Sequence, residues 1–236
     1  MKNFMLISSS VVFILFFILA VPIHIHKQNF ASVFSAENEN KFTAIILDAG
    51  HGGEDGGAVA SDNTAEKDIN LDIALKLQKI LNLYGYTVIM TRSEDIMTCD
   101  DNLTTQRERK VSDIRNRFKI IQENSHAIFV SIHQNKFHDT TQKGAQVFFS
   151  PNNNQSKVLA DSIQHSFVNT IQPENKRLSK KSGTSIFLLY HSEIPSVLVE
   201  CGFLSNPTDL TNLKDENYRT QTAFIIADGI IKYLKR

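Results

Sequence analysis

The sequence predicts an α/β fold: a single three-layer domain, with a mostly parallel twisted sheet and helices on both faces, following an N-terminal hydrophobic segment. Three observations predict it. Short apolar, β-branched runs recur along the chain and read as strands buried on both faces. Segments with apolar residues at helical spacing lie between them. Strands alternating with helices in this way favour parallel pairing through crossover connections.

Residues 1–27 read as a membrane anchor or signal segment, because Phe4 to Val21 is almost wholly apolar and follows Lys2. A span of about 18 residues lies between a signal-peptide core and a membrane helix. No clear small-residue cleavage site follows it, which favours an uncleaved anchor. Residues 28–41 are polar and read as a flexible linker. Residues 42–236 form the predicted catalytic domain.

Strands are expected at Phe42–Asp48, Tyr86–Thr91, Ala127–His133, Ala145–Phe149, Ser185–Leu189 and Val197–Cys201. The helix expected at Glu66–Tyr84 carries Ile69, Ile73, Leu77, Ile80 and Leu81 on one face, and Gly85 suits its C-terminal cap. Gln106–Glu123 follows Thr105, which with Glu108 makes a capping box. Val111, Ile114, Phe118 and Ile121 give that helix an apolar face. Lys157–Ile171 repeats apolar residues every four positions. Pro207 marks the start of a short helix, and Tyr218–Leu234 is the last one. The polar loops 92–104 and 134–143 are placed to frame a groove.

Chemistry concentrates at strand ends. Ile45-Ile46-Leu47-Asp48-Ala49-Gly50-His51-Gly52-Gly53 is a buried strand that ends in an acid and then a histidine among glycines. Glycines there allow a sharp turn and close approach of the backbone. In an open α/β sheet, ligands bind beside the carboxyl ends of strands. Ala127-Ile128-Phe129-Val130-Ser131-Ile132-His133 repeats the pattern. Glu66 opens a helix, where the plain explanation is a first-turn acid favoured by the helix dipole. With the two strand-end histidines, however, it completes a two-His, one-carboxylate set. Zinc accepts such a set and keeps one position open for water. Val197-Leu198-Val199-Glu200 places another acid at the end of an apolar strand, where it is costly unless paired or functional.

Taken together, Asp48-Ala49-Gly50-His51-Gly52, Glu66, Ser131-Ile132-His133-Gln134-Asn135 and Glu200-Cys201-Gly202-Phe203-Leu204-Ser205-Asn206 resemble the signature of zinc-dependent N-acetylmuramoyl-L-alanine amidases. The motifs fall in that family's order and cover roughly residues 42 to 235. Ala49 stands where relatives often have proline, and Cys201 where they usually have a small or apolar residue. The single-domain layout and the segment Gln106–Arg117 look most like the CwlD-like, germination-specific members.

The resemblance implies one Zn2+ per chain, held by His51, Glu66 and His133, with peptidoglycan as substrate. The bond cut would join the lactyl group of N-acetylmuramic acid to L-alanine, in spore cortex for the germination-specific members. Glu200 is the expected proton shuttle. Asp48, or a backbone carbonyl, is the candidate to orient an imidazole. Asn135 is a candidate substrate contact, and so are Arg115, Arg117 and Arg92 through bidentate binding of a carboxylate, although such arginines are more often solvated charges. His138, His165 and His191 close no apolar strand and read as surface or packing residues.

Twenty-five basic and 25 acidic side chains cancel, so nucleic acid is not an expected partner. The expected setting is outside the cytoplasmic membrane, anchored or secreted, on the cortex side of a spore-forming cell. An activating partner protein stays open. Cys99 and Cys201 do not suggest a disulfide scaffold. Two other functions compete: a zinc carboxypeptidase or deacylase on the same ligands, and a non-catalytic wall-binding regulator.

Overall fold

The computed structural model describes residues 42–236. The anchor and linker expected at residues 1–27 and 28–41 lie outside the described residues. β1 (Ala44–Ala49), β2 (Val88–Met90), β3 (Ala127–Asn135), β4 (Gln146–Phe149), β5 (Lys180–Lys181) and β6 (Ser196–Phe203) form one sheet in the order β2-β1-β3-β6-β4-β5. β1 pairs in parallel with β2 and β3, β3 with β6, and β4 with β5, whereas β4 runs antiparallel to β6. The sheet is therefore mixed: β2, β1, β3 and β6 run parallel from one edge, and β4 and β5 run opposite to them at the other.

Alternation along the central strands separates two cores. Ile45, Leu47, Ile128, Val130, Ile132, Val197 and Val199 face the larger core. It is covered by α1 (Glu66–Leu83), α3 (Asn154–Thr170) and α6 (Glu216–Leu234). Ala44, Ile46, Phe129 and Leu198 face the smaller core, beneath α2 (Gln106–Glu123) and α4 (Phe187–His191). The short helix α5 (Pro207–Lys214) packs beside α6.

Local chemistry sets the helix ends. Thr105 and Glu108 form the reciprocal capping box that starts α2. Asn153, Asn206 and Asp215 cap α3, α5 and α6 by accepting backbone N–H bonds. These caps start α3 and α6 a few residues earlier than apolar spacing alone suggests.

Two elements differ from expectation. The apolar run at 185–189 is not a strand but leads into the short helix α4, with Leu188 and Leu189 buried in the smaller core. A short apolar run fits either structure, and burial on one side decided it. The edge strand is instead β5, two exposed lysines. Charged edge strands resist further pairing but carry no apolar signal.

α2 keeps most of its expected face: Ile121 is buried in the smaller core and Ile114 and Phe118 pack against it, while Val111 is exposed. Ser112, Asp113 and Arg117 are buried beside that apolar stripe.

α3 and α6 approach closely at Gly229. A Cβ there would fall 2.6 Å from Ile163 Cα. Gly229→Ala gains about 1 kcal/mol of helix propensity but overpacks against backbone at about 1–3 kcal/mol. A net loss of stability in urea denaturation is expected; a gain would mean that the helices separate without cost.

Candidate metal centre and active site

The site is built at the carboxyl ends of β1, β3 and β6 and the N-terminus of α1. β1 ends at Ala49, and His51 follows with a φ of 63°, in the left-handed region that non-glycine residues rarely occupy. Two buried arginines hold this turn. Arg117 donates to Asp48 Oδ1 at 2.7 Å, to Ala49 O at 2.8 Å and to His51 O at 2.7 Å. Its Nε donates to Asp113 at 2.9 Å. Arg92 donates to the carbonyls of Ala49, Gly50, Glu94 and Lys67.

These contacts correct the expectation for Arg117. Its side chain is 2% exposed and its donors are used within the scaffold, so it is not available to a substrate carboxylate. Arg92 is likewise buried in the scaffold. Arg115 is exposed on α2. Asp48 accepts from Arg117, from Thr91 Oγ1 at 2.7 Å and from Ser131 Oγ at 2.6 Å, not from an imidazole. Burial alone would raise its pKa; the Arg117 charge and the hydroxyl bonds reverse this and hold it at about 2.

The group that orients His51 is Asp55, whose Oδ2 lies 2.8 Å from Nδ1. Lys110 holds the other Asp55 oxygen at 2.8 Å. This leaves His51 Nε2 facing Glu66 Oε2 at 3.3 Å. Glu66 Oε1 lies 2.8 Å from His133 Nδ1. Ala58 N donates to one Glu66 oxygen at 2.8 Å; Gln134 N and Asn70 Nδ2 donate to the other at 3.1 and 3.2 Å. The carboxylate is thus fixed before any cation binds.

Close backbone approach makes room for the rings. A Cβ on Gly50 would fall 2.2 Å from His133 Nε2. One on Gly57, at φ +66°, would fall 2.6 Å from both Glu66 Oε2 and His51 Cδ2. The imidazoles stand edge to face with centroids 5.0 Å apart. One ligand atom from each of His51, Glu66 and His133 lies within 4.8 Å of the others, so this donor set fits one divalent ion.

Glu200 pairs in register with His133. Its Oε2 is buried and has no hydrogen-bond partner. Burial pushes its pKa up to about 7. The charges of His133 and His51 lower its pKa and that of Glu66 raises it, by less than burial does. Cys201, the next residue, belongs to the larger core on the opposite face and does not approach the ligands. It and Cys99 are free thiols.

Asn135 is half-buried at the end of β3. The last part of the Glu200 motif is structural: Asn206 caps α5, and Ser205 Oγ accepts from Phe137 N. Sequence reasoning missed Asp55, Asn70 and Gln134. Asp55 sits in an irregular glycine-rich turn, where spacing carries no periodic signal.

An α/β sheet whose strand ends, with the start of one helix, bring together a donor set that fits a divalent ion and a nearby acid with an unpartnered oxygen has the form of a hydrolase site. The particular kind follows from the whole sequence: the chain belongs to the N-acetylmuramoyl-L-alanine amidase family (Amidase_3), which matches residues 45–232, and it is an amidase. It is 33% identical over 189 residues to the germination-specific N-acetylmuramoyl-L-alanine amidase of Bacillus subtilis, covering 80% of this chain and 78% of that protein. A CwlD amidase from Clostridioides difficile, solved in complex with the GerS lipoprotein, superimposes with a TM-score of 0.79 at 42% identity, over 82% of this chain and 98% of that one. AmiC2 of Nostoc punctiforme gives 0.68 at 29%, over 83% and 98%. The CwlD-like subfamily is the one this chain resembles.

Burial disfavours the charged form of His51, but its bonds to Asp55 and Glu66 outweigh this and raise its pKa to about 9. An NMR titration of the metal-free protein should show this midpoint. Asp55→Asn should return it toward the ordinary imidazole value of about 6.5; an unchanged midpoint would remove Asp55 from the orienting role.

Proposed function

We propose that this chain is a zinc amidase that removes stem peptides from spore-cortex peptidoglycan, ahead of conversion of the bared muramic acid to its δ-lactam. It would act outside the cytoplasmic membrane. The observation that carries this reading is the convergence of His51, Glu66 and His133 beside Glu200, whose buried oxygen has no partner. The likeness to germination-specific relatives supports the cortex as substrate.

In this reading His51, Glu66 and His133 would hold the zinc. When bound, the zinc lowers the pKa of water to about 7 and polarises the scissile carbonyl. Asp55 fixes the tautomer and direction of His51. Asn70 and Gln134 N fix Glu66. Glu200 takes a proton from the attacking water and delivers it to the departing L-alanine amine as the C–N bond breaks. Its unpartnered oxygen and raised pKa suit a group that must hold and release a proton near neutrality. Asn135 serves as a hydrogen-bonding contact for the peptide, and Arg115 is the remaining arginine free to reach a substrate carboxylate.

Residues 1–27 anchor the chain in the cytoplasmic membrane, and residues 28–41 tether residues 42–236 to it; this part rests on sequence alone. Among the described residues no helix is long and apolar enough to cross a membrane. The GerS complex of the C. difficile amidase supports an accessory lipoprotein partner here too.

The test is muropeptide mass spectrometry on cortex digested by the full chain. The expected products are intact stem peptides beginning with L-alanine; release of single terminal residues would identify a carboxypeptidase instead. Glu200→Gln should keep its zinc and lose about 100-fold or more in rate. Near-normal turnover by that variant would exclude Glu200 as the shuttle.

Zinc binding should also weaken as pH falls. Protons compete for His51 below about pH 9, and ligands must be deprotonated to bind metal, so affinity should drop about tenfold per pH unit in that range. Competition with a chromophoric chelator measures this, and a flat profile from pH 9 to 6 would contradict it.

A further inference from the structure

The end of the domain opposite the metal centre carries an exposed apolar cluster. Leu83 is 84% exposed, Tyr84 62% and Phe224 55%. Tyr84 and Phe224 line one groove of about 920 Å³ between the end of α1 and α6. Lys232 and Lys235 rim the same groove, and Lys79 is exposed one turn before Leu83. The acid lining this groove, Asp228, is bonded to Lys232 and Ser166. Large aromatic and apolar side chains left in water beside lysines form the pattern of a surface that meets anionic lipid.

The direction of the chain adds a second argument. The described residues begin at Phe42, whose ring stacks on Tyr233 of α6, 5.9 Å away. The described residues therefore start at this end of the domain. α1 starts at Glu66, in the metal centre, and ends at Leu83, in the apolar cluster. Eighteen helical residues span about 27 Å, at 1.5 Å per residue.

We infer that Leu83, Tyr84 and Phe224, rimmed by Lys79, Lys232 and Lys235, seat the domain on the anionic outer face of the bilayer that anchors it. The metal centre then points away from that bilayer, about one α1 length from the lipid, toward the wall. Tyr84 and Phe224 enter the headgroup region as interfacial aromatics do, and the lysines meet the lipid phosphates. This inference rests on the anchor assigned to residues 1–27 above.

The chain has no tryptophan, so a single introduced one reports only its own position. Full-length chain carrying Phe224→Trp is reconstituted in vesicles of phosphatidylglycerol and phosphatidylcholine, with or without brominated acyl chains. A second variant carries Phe137→Trp, on the loop after β3 at the metal-centre end, where Phe137 is 48% exposed. The expected result is a blue-shifted emission at position 224, quenched about twofold or more by bromolipid, and no quenching at position 137. Lys232→Glu with Lys235→Glu should reduce the quenching at 224.

Water-like, unquenched emission at 224 in chain that floats with the vesicles would overturn the seating while leaving the anchor intact. Failure of the chain to float would remove the anchor, and the seating with it. A concentration-dependent blue shift without vesicles would assign this face to a second copy of the chain and overturn the inference.

Discussion

Two buried guanidinium groups hold the backbone between Asp48 and His51, and the placement of the candidate metal ligands depends on them. His51 sits in a backbone conformation that costs energy for a residue with a Cβ. Arg117 and Arg92 supply hydrogen bonds to the carbonyls of Ala49, Gly50 and His51 that no strand neighbour could supply once the chain leaves the sheet. Burying arginine is itself costly, and Asp48 and Asp113 offset that cost for Arg117 by direct pairing. Removing one partner of such a pair leaves a buried charge uncompensated, at about 3–5 kcal/mol. The charges thus act as a scaffold, aiming one imidazole at a point that Glu66 and His133 reach from other elements.

The remaining electrostatics follow from what each carboxylate touches. Glu66 is buried, which alone would favour its neutral form, yet contacts to both histidines hold its pKa well below the usual carboxylate range. Glu200 is half-buried, but its Oε2 is buried without a donor, so desolvation prevails and its pKa rises. Two acids at neighbouring strand and helix ends therefore occupy opposite protonation regimes, one fixed as an anion and one able to exchange a proton. This separation suits the two roles proposed above, Glu66 as ligand and Glu200 as shuttle.

Much of this was legible in the sequence, because apolar runs that end in His or Glu are expensive patterns with few explanations. The strand leading to His51, the strands bearing His133 and Glu200, and the helix beginning at Glu66 fall where periodicity places them. Arg117 was not legible. Its helix packs Ile114, Phe118 and Ile121 of the expected apolar stripe against the smaller core, and nothing local reveals that Arg117 is buried beside them, because its partner Asp48 lies 69 residues away. Asp55 was hidden for a different reason: it acts through an irregular turn of glycines, where contact depends on the path of the backbone rather than on a repeat. The run at 185–189 was ambiguous between strand and helix, and only the core beneath it resolved the choice.

The central claim is that His51, Glu66 and His133 share one zinc ion. Anomalous diffraction collected above and below the zinc absorption edge, on crystals of the zinc-loaded protein, tests it most directly. The account predicts a single strong peak about 2.0–2.2 Å from one atom of each of these residues, next to the carboxyl group of Glu200. A peak bound elsewhere, or density that leaves either imidazole uncoordinated, would contradict it.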